Sequence, residues 1–182
     1  VARRNLTAQP AVNATGLPSS IASPMTLVPA QSPYRVEGAT TVEPGASLTV
    51  EPGVTVVFDT GASLVLNGPL FAAGTSEEPI TFTTDECAER SEGIVALEGA
   101  TSSQLSHVRI AGLFQAAGYS SGLVVDGATV GLDHATLSGD GAGTLLEVQA
   151  GTLVLEDSSV GECAMGVLAS GGRAEVRRSQ FL

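Results

Sequence analysis

The chain has 182 residues and a net charge of −11, from 19 acidic residues against eight arginines and no lysine. It is 43% hydrophobic but only 4% aromatic, with no tryptophan. This length suits one ordinary domain, and so few rings argue against a sandwich-type core, which buries several large aromatics. The charge repels polyphosphate and anionic headgroups at long range, which argues against nucleic acid and membrane headgroups as partners. No run reaches the roughly 18 apolar residues needed to span a bilayer, so neither nucleic-acid binding nor membrane insertion is expected.

Residues 1–33 are rich in Pro, Ala, Ser and Thr and have no sustained period. Pro10, Pro18, Pro24, Pro29 and Pro33 interrupt any helix or central strand. The segment reads as an extended linker, or as an arm that lies along the following repeat domain or covers its first rung, anchored by Ile21, Met25, Leu27 and Val28. From Tyr34 the texture changes. Val42-Glu-Pro-Gly45, Val50-Glu-Pro-Gly53 and Phe58-Asp-Thr-Gly61 repeat an acidic residue and a glycine every eight residues. Pro-Gly pairs make tight turns. The segments between them alternate with period two and place Leu48 and Val50, Val56 and Phe58, and Leu64 and Leu66 on one side. The next strand is Ile80-Thr-Phe-Thr83.

From Leu105 onward one block comes round four times: Leu105-Ser-His-Val-Arg-Ile110, Leu132-Asp-His-Ala-Thr-Leu137, Leu155-Glu-Asp-Ser-Ser-Val160 and Val176-Arg-Arg-Ser-Gln-Phe181, spaced by 27, 23 and 21 residues. A second column precedes it, in Val95-Ala-Leu-Glu-Gly99, Leu123-Val-Val-Asp-Gly127, Leu146-Glu-Val-Gln-Ala150 and Val167-Leu-Ala-Ser-Gly171. A period of 20–30 residues built of short alternating strands and glycine turns predicts a stacked coil. The fold class is therefore all-β: a right-handed parallel β-helix over residues 34–182. At about 22 residues per rung it would have about seven rungs ~4.8 Å apart. The pattern stops at Phe181 in an inward position without a polar cap. Continuation of the protein beyond this segment, cover by another chain and end-to-end stacking are the three alternatives.

The run from Val42 to Thr84, VEPGVTVVFDTGASLVLNGPLFAAGTSEEPITFTT at its centre, resembles the opening rungs of right-handed parallel β-helix domains of bacterial surface and secreted proteins. The resemblance covers residues 34–182. It departs at Gly93-Ile-Val-Ala-Leu97, which lacks the aromatic residue usual in that strand. It implies the fold and an extracytoplasmic location, secreted or at the cell surface, and no particular reaction.

His107 and His134 fall at the third place of consecutive blocks, where Asp157 and Arg178 follow. His and Asp tolerate left-handed backbone angles, so this column is expected to be a ladder of turns rather than a metal site. The column one place earlier, Ser106, Asp133, Glu156 and Arg177 with Asp126 near it, is the only arrangement suggestive of carboxylate catalysis. Cys87 and Cys163 lie in one loop column about three rungs, or ~14 Å, apart, beyond the ~7 Å that a disulfide allows unless the loop folds along the rod. Free thiols, an intrachain bridge and an intermolecular bridge remain open. The same column (85–92, 112–120, 138–143, 161–164) holds the long excursions and is the expected contact face, with Asp85, Glu86, Glu89, Tyr119, Asp140 and Glu162 as its binding residues. No cofactor is expected. Ser138-Gly-Asp-Gly-Ala-Gly143 is only faintly calcium-like, and a solvated acidic face is the simpler reading. Threonines 41, 49, 55, 81, 83 and 136 form no single regular ladder in the alignment, which argues against ice binding. The expected function is a structural and binding scaffold for other protein chains or cell-surface and matrix components, with self-association through its ends. The alternative is a polysaccharide-active β-helix enzyme.

Overall fold

Short alternating strands bury one side each, and the chain stacks these sides around a common bore. The computed structural model describes residues 14–84, 93–113, 121–139 and 143–182. The first turn is β1 (Thr15–Gly16), β2 (Ser20–Ile21) and β3 (Met25–Leu27), and the second is β4 (Tyr34–Val36), β5 (Ala39–Val42) and β6 (Leu48–Val50). The third is β7 (Thr55–Phe58), β8 (Ser63–Leu66) and β9 (Leu70–Ala73), and the fourth β10 (Ile80–Thr84), β11 (Ile94–Leu97) and β12 (Ser103–Ser106). The fifth turn is β13 (Val108–Ala111) and β14 (Ser121–Asp133), and the sixth β15 (Thr136–Ser138) and β16 (Thr144–Glu156). The seventh is β17 (Ser159–Gly161), β18 (Met165–Ala169) and β19 (Arg173–Arg177), after which β20 (Gln180–Phe181) starts another pass.

All strand pairings between turns are parallel, and three faces result. The first face is the eight-stranded sheet β1-β4-β7-β10-β13-β15-β17-β20. The second and third faces join in one sheet because β14 and β16 run through both. Gly127 and Gly151, at φ +87° and +86°, carry those 13-residue strands around the bend. At Gly151 an added Cβ would lie 2.0 Å from the Ala128 carbonyl oxygen, so glycine is required there on both counts.

The chain is thus an all-β parallel solenoid. Residues 34–177 hold six turns, where the spacing predicted about seven over 34–182. The first-face partners Val56, Phe82, Ile110 and Leu137 lie 26–28 residues apart, which lengthens the middle turns. The remaining turn comes from the segment expected to be an arm or linker. Strands β1, β2 and β3 pair with β4, β5 and β6, and Ile21 and Leu27 are buried in the common core. Pro18, Pro24, Pro29 and Pro33 fall between strands, where a missing N–H costs no ladder bond. Residues 1–13 lie outside the described part.

Apolar ladders fill the bore. Tyr34, Val56, Phe82, Ile110, Leu137 and Val160 are successive partners on the first face and all are buried. Leu27, Val50, Ala72, Leu105, Leu132 and Leu155 do the same on the third. The aligned column Leu105, Leu132, Leu155 and Val176 is therefore a true ladder. The second column needs one adjustment: Ile94, not Val95, pairs with Leu123. Leu97 faces both Asp126 and Gly127, and this extra residue shifts the register by one.

Corner polar groups are satisfied within the stack. Ser103 Oγ donates to the Ala100 carbonyl at 2.9 Å and accepts the Leu70 N–H at 3.0 Å, fully buried. No buried side-chain polar atom among the described residues lacks a partner. Phe82→Ala should lower stability to urea by about 3–5 kcal/mol through loss of buried surface and the cavity left behind. Thr81→Ala, one residue away on the outer side, should change it by about 0.5 kcal/mol or less. Equilibrium unfolding followed by circular dichroism checks both, and equal losses would contradict the inward assignment of Phe82.

Candidate functional site

From the fourth turn on, each turn passes from its third face to its first through one non-glycine residue with left-handed backbone angles. These are His107, His134, Asp157 and Arg178, at φ 48°, 50°, 46° and 47°. The ladder of turns expected from the block alignment is present. The amides of His107, His134 and Asp157 donate to the carbonyls of Asp133, Glu156 and Arg177 one turn on, at 3.0–3.1 Å. The following residue reinforces the corner: Ser158 Oγ accepts the Ala135 N–H at 2.9 Å, and Ser179 Oγ accepts the Ser158 N–H at 3.1 Å.

Because the corner backbone is the same in each turn, the side chains stack. The His107 and His134 rings lie 4.7 Å apart between centroids, at 29°. Arg178 donates to both carboxylate oxygens of Asp157 at 2.7 Å and also to Glu156. His134 Nδ1 lies 2.9 Å from Asp133 Oδ1. The ligating atoms of Asp133, His134 and Asp157 are all within 4.8 Å of one another. His134 therefore does have carboxylate company, of which Asp157, 23 residues on, is brought in by the stacking.

A polar column runs alongside on the first face: Thr55, Thr81, Arg109, Thr136, Ser159 and Gln180 are successive partners. Three of the threonines expected to be scattered thus stand in one column, interrupted by Arg109. Between corner and column runs an open groove of about 390 Å³, bordered by Ser76, His107, His134, Asp157, Ser159 and Arg178 among others. A smaller recess of about 130 Å³ continues it past Thr75, Arg109 and Thr136. The arginines at 35, 173, 177 and 178 are ion-paired, whereas exposed Arg109 has no ion pair among the described residues. Near the recess, hydrogen bonding from the Ser76 side chain and the backbone holds the Glu77 carboxyl below its usual range, with a smaller contribution from His107.

The acidic column expected from sequence is also in register: Ser106, Asp133, Glu156 and Arg177 are direct partners on the third face. Asp126 is not part of it, pairing instead with Leu97 and Ala150 at the bend. Of the expected binding residues, Asp85, Glu86, Glu89, Tyr119 and Asp140, together with Cys87, lie outside the described residues. Glu162 is exposed at φ 55°, and Cys163 is half-buried against the core. Both lie between β17 and β18, at the corner from first to second face, and the other long excursions make the same passage in their turns. The groove occupies a different corner. Sequence reasoning aligned its residues as turn formers without reading their side chains as one continuous surface.

A second cluster escaped the sequence reading altogether. Val95, Val124 and Glu147 are successive partners on the outer side of the second face, yet Val95 and Val124 are buried and Glu147 is only 8% exposed. Glu147 accepts hydrogen bonds from Ser121 Oγ at 2.7 Å and Gln149 Nε2 at 2.8 Å. In the sequence these are ordinary outward positions.

Comparison with family models, curated proteins and solved structures finds no match to this chain.

The hydrogen bond from Arg178, together with its charge, holds the Asp157 carboxyl below its ordinary value. A depressed folded value means that this pair supports folding above the usual carboxylate range and loses that support as pH falls through the folded value. Arg178→Gln should return the Asp157 titration midpoint towards that of an unpaired aspartate. Carbon-13 NMR of the carboxyl reads this directly, and an unmoved midpoint would break the assignment.

Proposed function

We propose that this chain is a non-catalytic binding scaffold of a secreted or surface-displayed bacterial protein, and that the groove beside the His107–Arg178 corner is its contact surface. The observation that carries this reading is repetition: four corner side chains and the neighbouring polar column recur in register across the stack, in a groove open to solvent. Such a surface suits an extended polar partner of the cell surface or matrix, lying along the rod and meeting one corner side chain and one column side chain every ~4.8 Å. The resemblance of residues 34–182 to surface-protein β-helices supports the extracytoplasmic assignment.

Retention on immobilised matrix polysaccharide and surface-protein fractions tests the groove. The double variant His107→Asn/Arg178→Gln keeps folding residues at the corner and should weaken retention about tenfold, or ~1.4 kcal/mol. Loss instead in Glu86→Gln/Glu89→Gln would move the contact face to the loop column. Self-association belongs to the same proposal. Met165 and Val176 on the seventh turn and Phe181 on β20 are 46%, 43% and 51% exposed, and a further turn of this or another chain would cover them. Sedimentation should show mass growing with concentration in reductant, and a steady monomer would remove the stacking role.

One observation favours the enzymatic alternative. Asp133 and Glu156 are direct partners one turn apart, on the outer side of the third face, and two neighbouring accessible carboxylates are the residue types that glycoside hydrolysis uses. Release of reducing ends from polysaccharide, abolished by Asp133→Asn and by Glu156→Gln, would establish it over the scaffold.

A further inference from the structure

We propose that Asp133, His134 and Asp157 form a binding site for a divalent transition-metal ion of the zinc class, with Arg178 as a built-in competing cation. Metal binding at this corner does not require that the groove take a macromolecule.

The donors come from two successive passes of the same corner. Asp133 and His134 end the fifth turn and Asp157 ends the sixth. Register brings them together: Asp133 is the direct partner of Glu156, so the corner residues that follow, His134 and Asp157, lie one above the other. Their ligand atoms are already within 4.8 Å, and His134 Nδ1 and Asp133 Oδ1 are 2.9 Å apart. In a tetrahedral zinc site with bonds of ~2.1 Å the donors stand about 3.4 Å apart, so closing on an ion needs only small side-chain rotations. Asp133 and His134 are exposed, and the groove gives an ion an open approach.

The donor chemistry selects the ion. One imidazole and two carboxylates suit zinc and neighbouring transition metals, whereas calcium needs six to eight oxygens. His107, stacked on His134, restricts the ring that must present the nitrogen and adds a second imidazole at the edge of the site. Against binding stands Arg178, hydrogen-bonded to both oxygens of Asp157 and to Glu156. Each carboxylate oxygen keeps a second lone pair, so Asp157 can still ligate, but the guanidinium charge repels the ion. The corner thus holds one covalently tethered cation and offers its other end to a free one.

Titration calorimetry with zinc chloride tests the proposal, in a Cys87→Ser/Cys163→Ser background because thiolates also bind zinc. One zinc should bind per chain, with calcium chloride giving no saturable heat under the same conditions. His134→Asn and Asp157→Asn should each weaken zinc binding at least about tenfold, and both keep a side chain that tolerates the corner angles. Circular dichroism then confirms the fold. Arg178→Gln should tighten binding several-fold, and the ring-proton signals of His134 should shift on zinc addition. Absence of saturable binding, or binding unchanged in both asparagine variants, overturns the site. Unchanged or weaker binding in Arg178→Gln overturns the competing role of the arginine.

Discussion

Parallel in-register stacking is the constraint on which everything else in this molecule depends. Within the stack each strand pairs with the strand one turn before and one turn after it, so a strand residue answers to partners 19 to 33 positions away in the chain. Backbone hydrogen bonds between turns set the register, and the period-two alternation of the strands then decides which side chains enter the bore. The ladders of Val, Leu, Ile and Phe follow from this, as does the scarcity of large rings: a narrow bore is filled by repetition of medium-sized residues. Turn length is free to vary, because extra residues leave at a corner and the strands resume in register afterwards.

The same constraint makes the outer surface a set of columns. A residue that suits a corner backbone angle in one turn stands directly beside the residue that suits it in the next. Selection for left-handed tolerance at the corner therefore has a chemical by-product, a row of His, His, Asp and Arg with stacked rings and a bidentate ion pair. Backbone need and side-chain chemistry coincide in one column, which explains how a turn ladder can also be a site. The open groove beside it is shallow and long, a shape suited to partners that extend along the rod.

The limits of reading by alignment show at particular residues. The third-face ladder from Leu105 to Val176 was visible as a repeated block, and the corner role of His107, His134, Asp157 and Arg178 was visible from residue type and place. The Ile94–Leu123 pairing was not, because a bulge at Leu97 shifts register without leaving a mark in residue type. The first turn was open between a linker and an arm covering the first rung, because its strands of two or three residues are too short to show alternation and are separated by prolines. Pairing with β4, β5 and β6 and burial of Ile21 and Leu27 decide for the second. Glu147 illustrates a third failure: an acidic residue between two apolar ones on an outer face reads as exposed, and nothing local signals its burial beside Ser121.

By itself the sequence determined the solenoid, the identity of most bore-lining residues and the column of turn-forming corners, since these depend on local alternation and a recurring period. Only the tertiary structure decided what stands next to what across turns: the approach of Asp133 and Asp157 to His134, the continuity of the first-face polar column with the corner, and the entry of residues 15–27 into the stack. The physical reason is that alternation is written in adjacent residues. Lateral neighbourhood depends on the exact length of every connection, and a single inserted residue changes it.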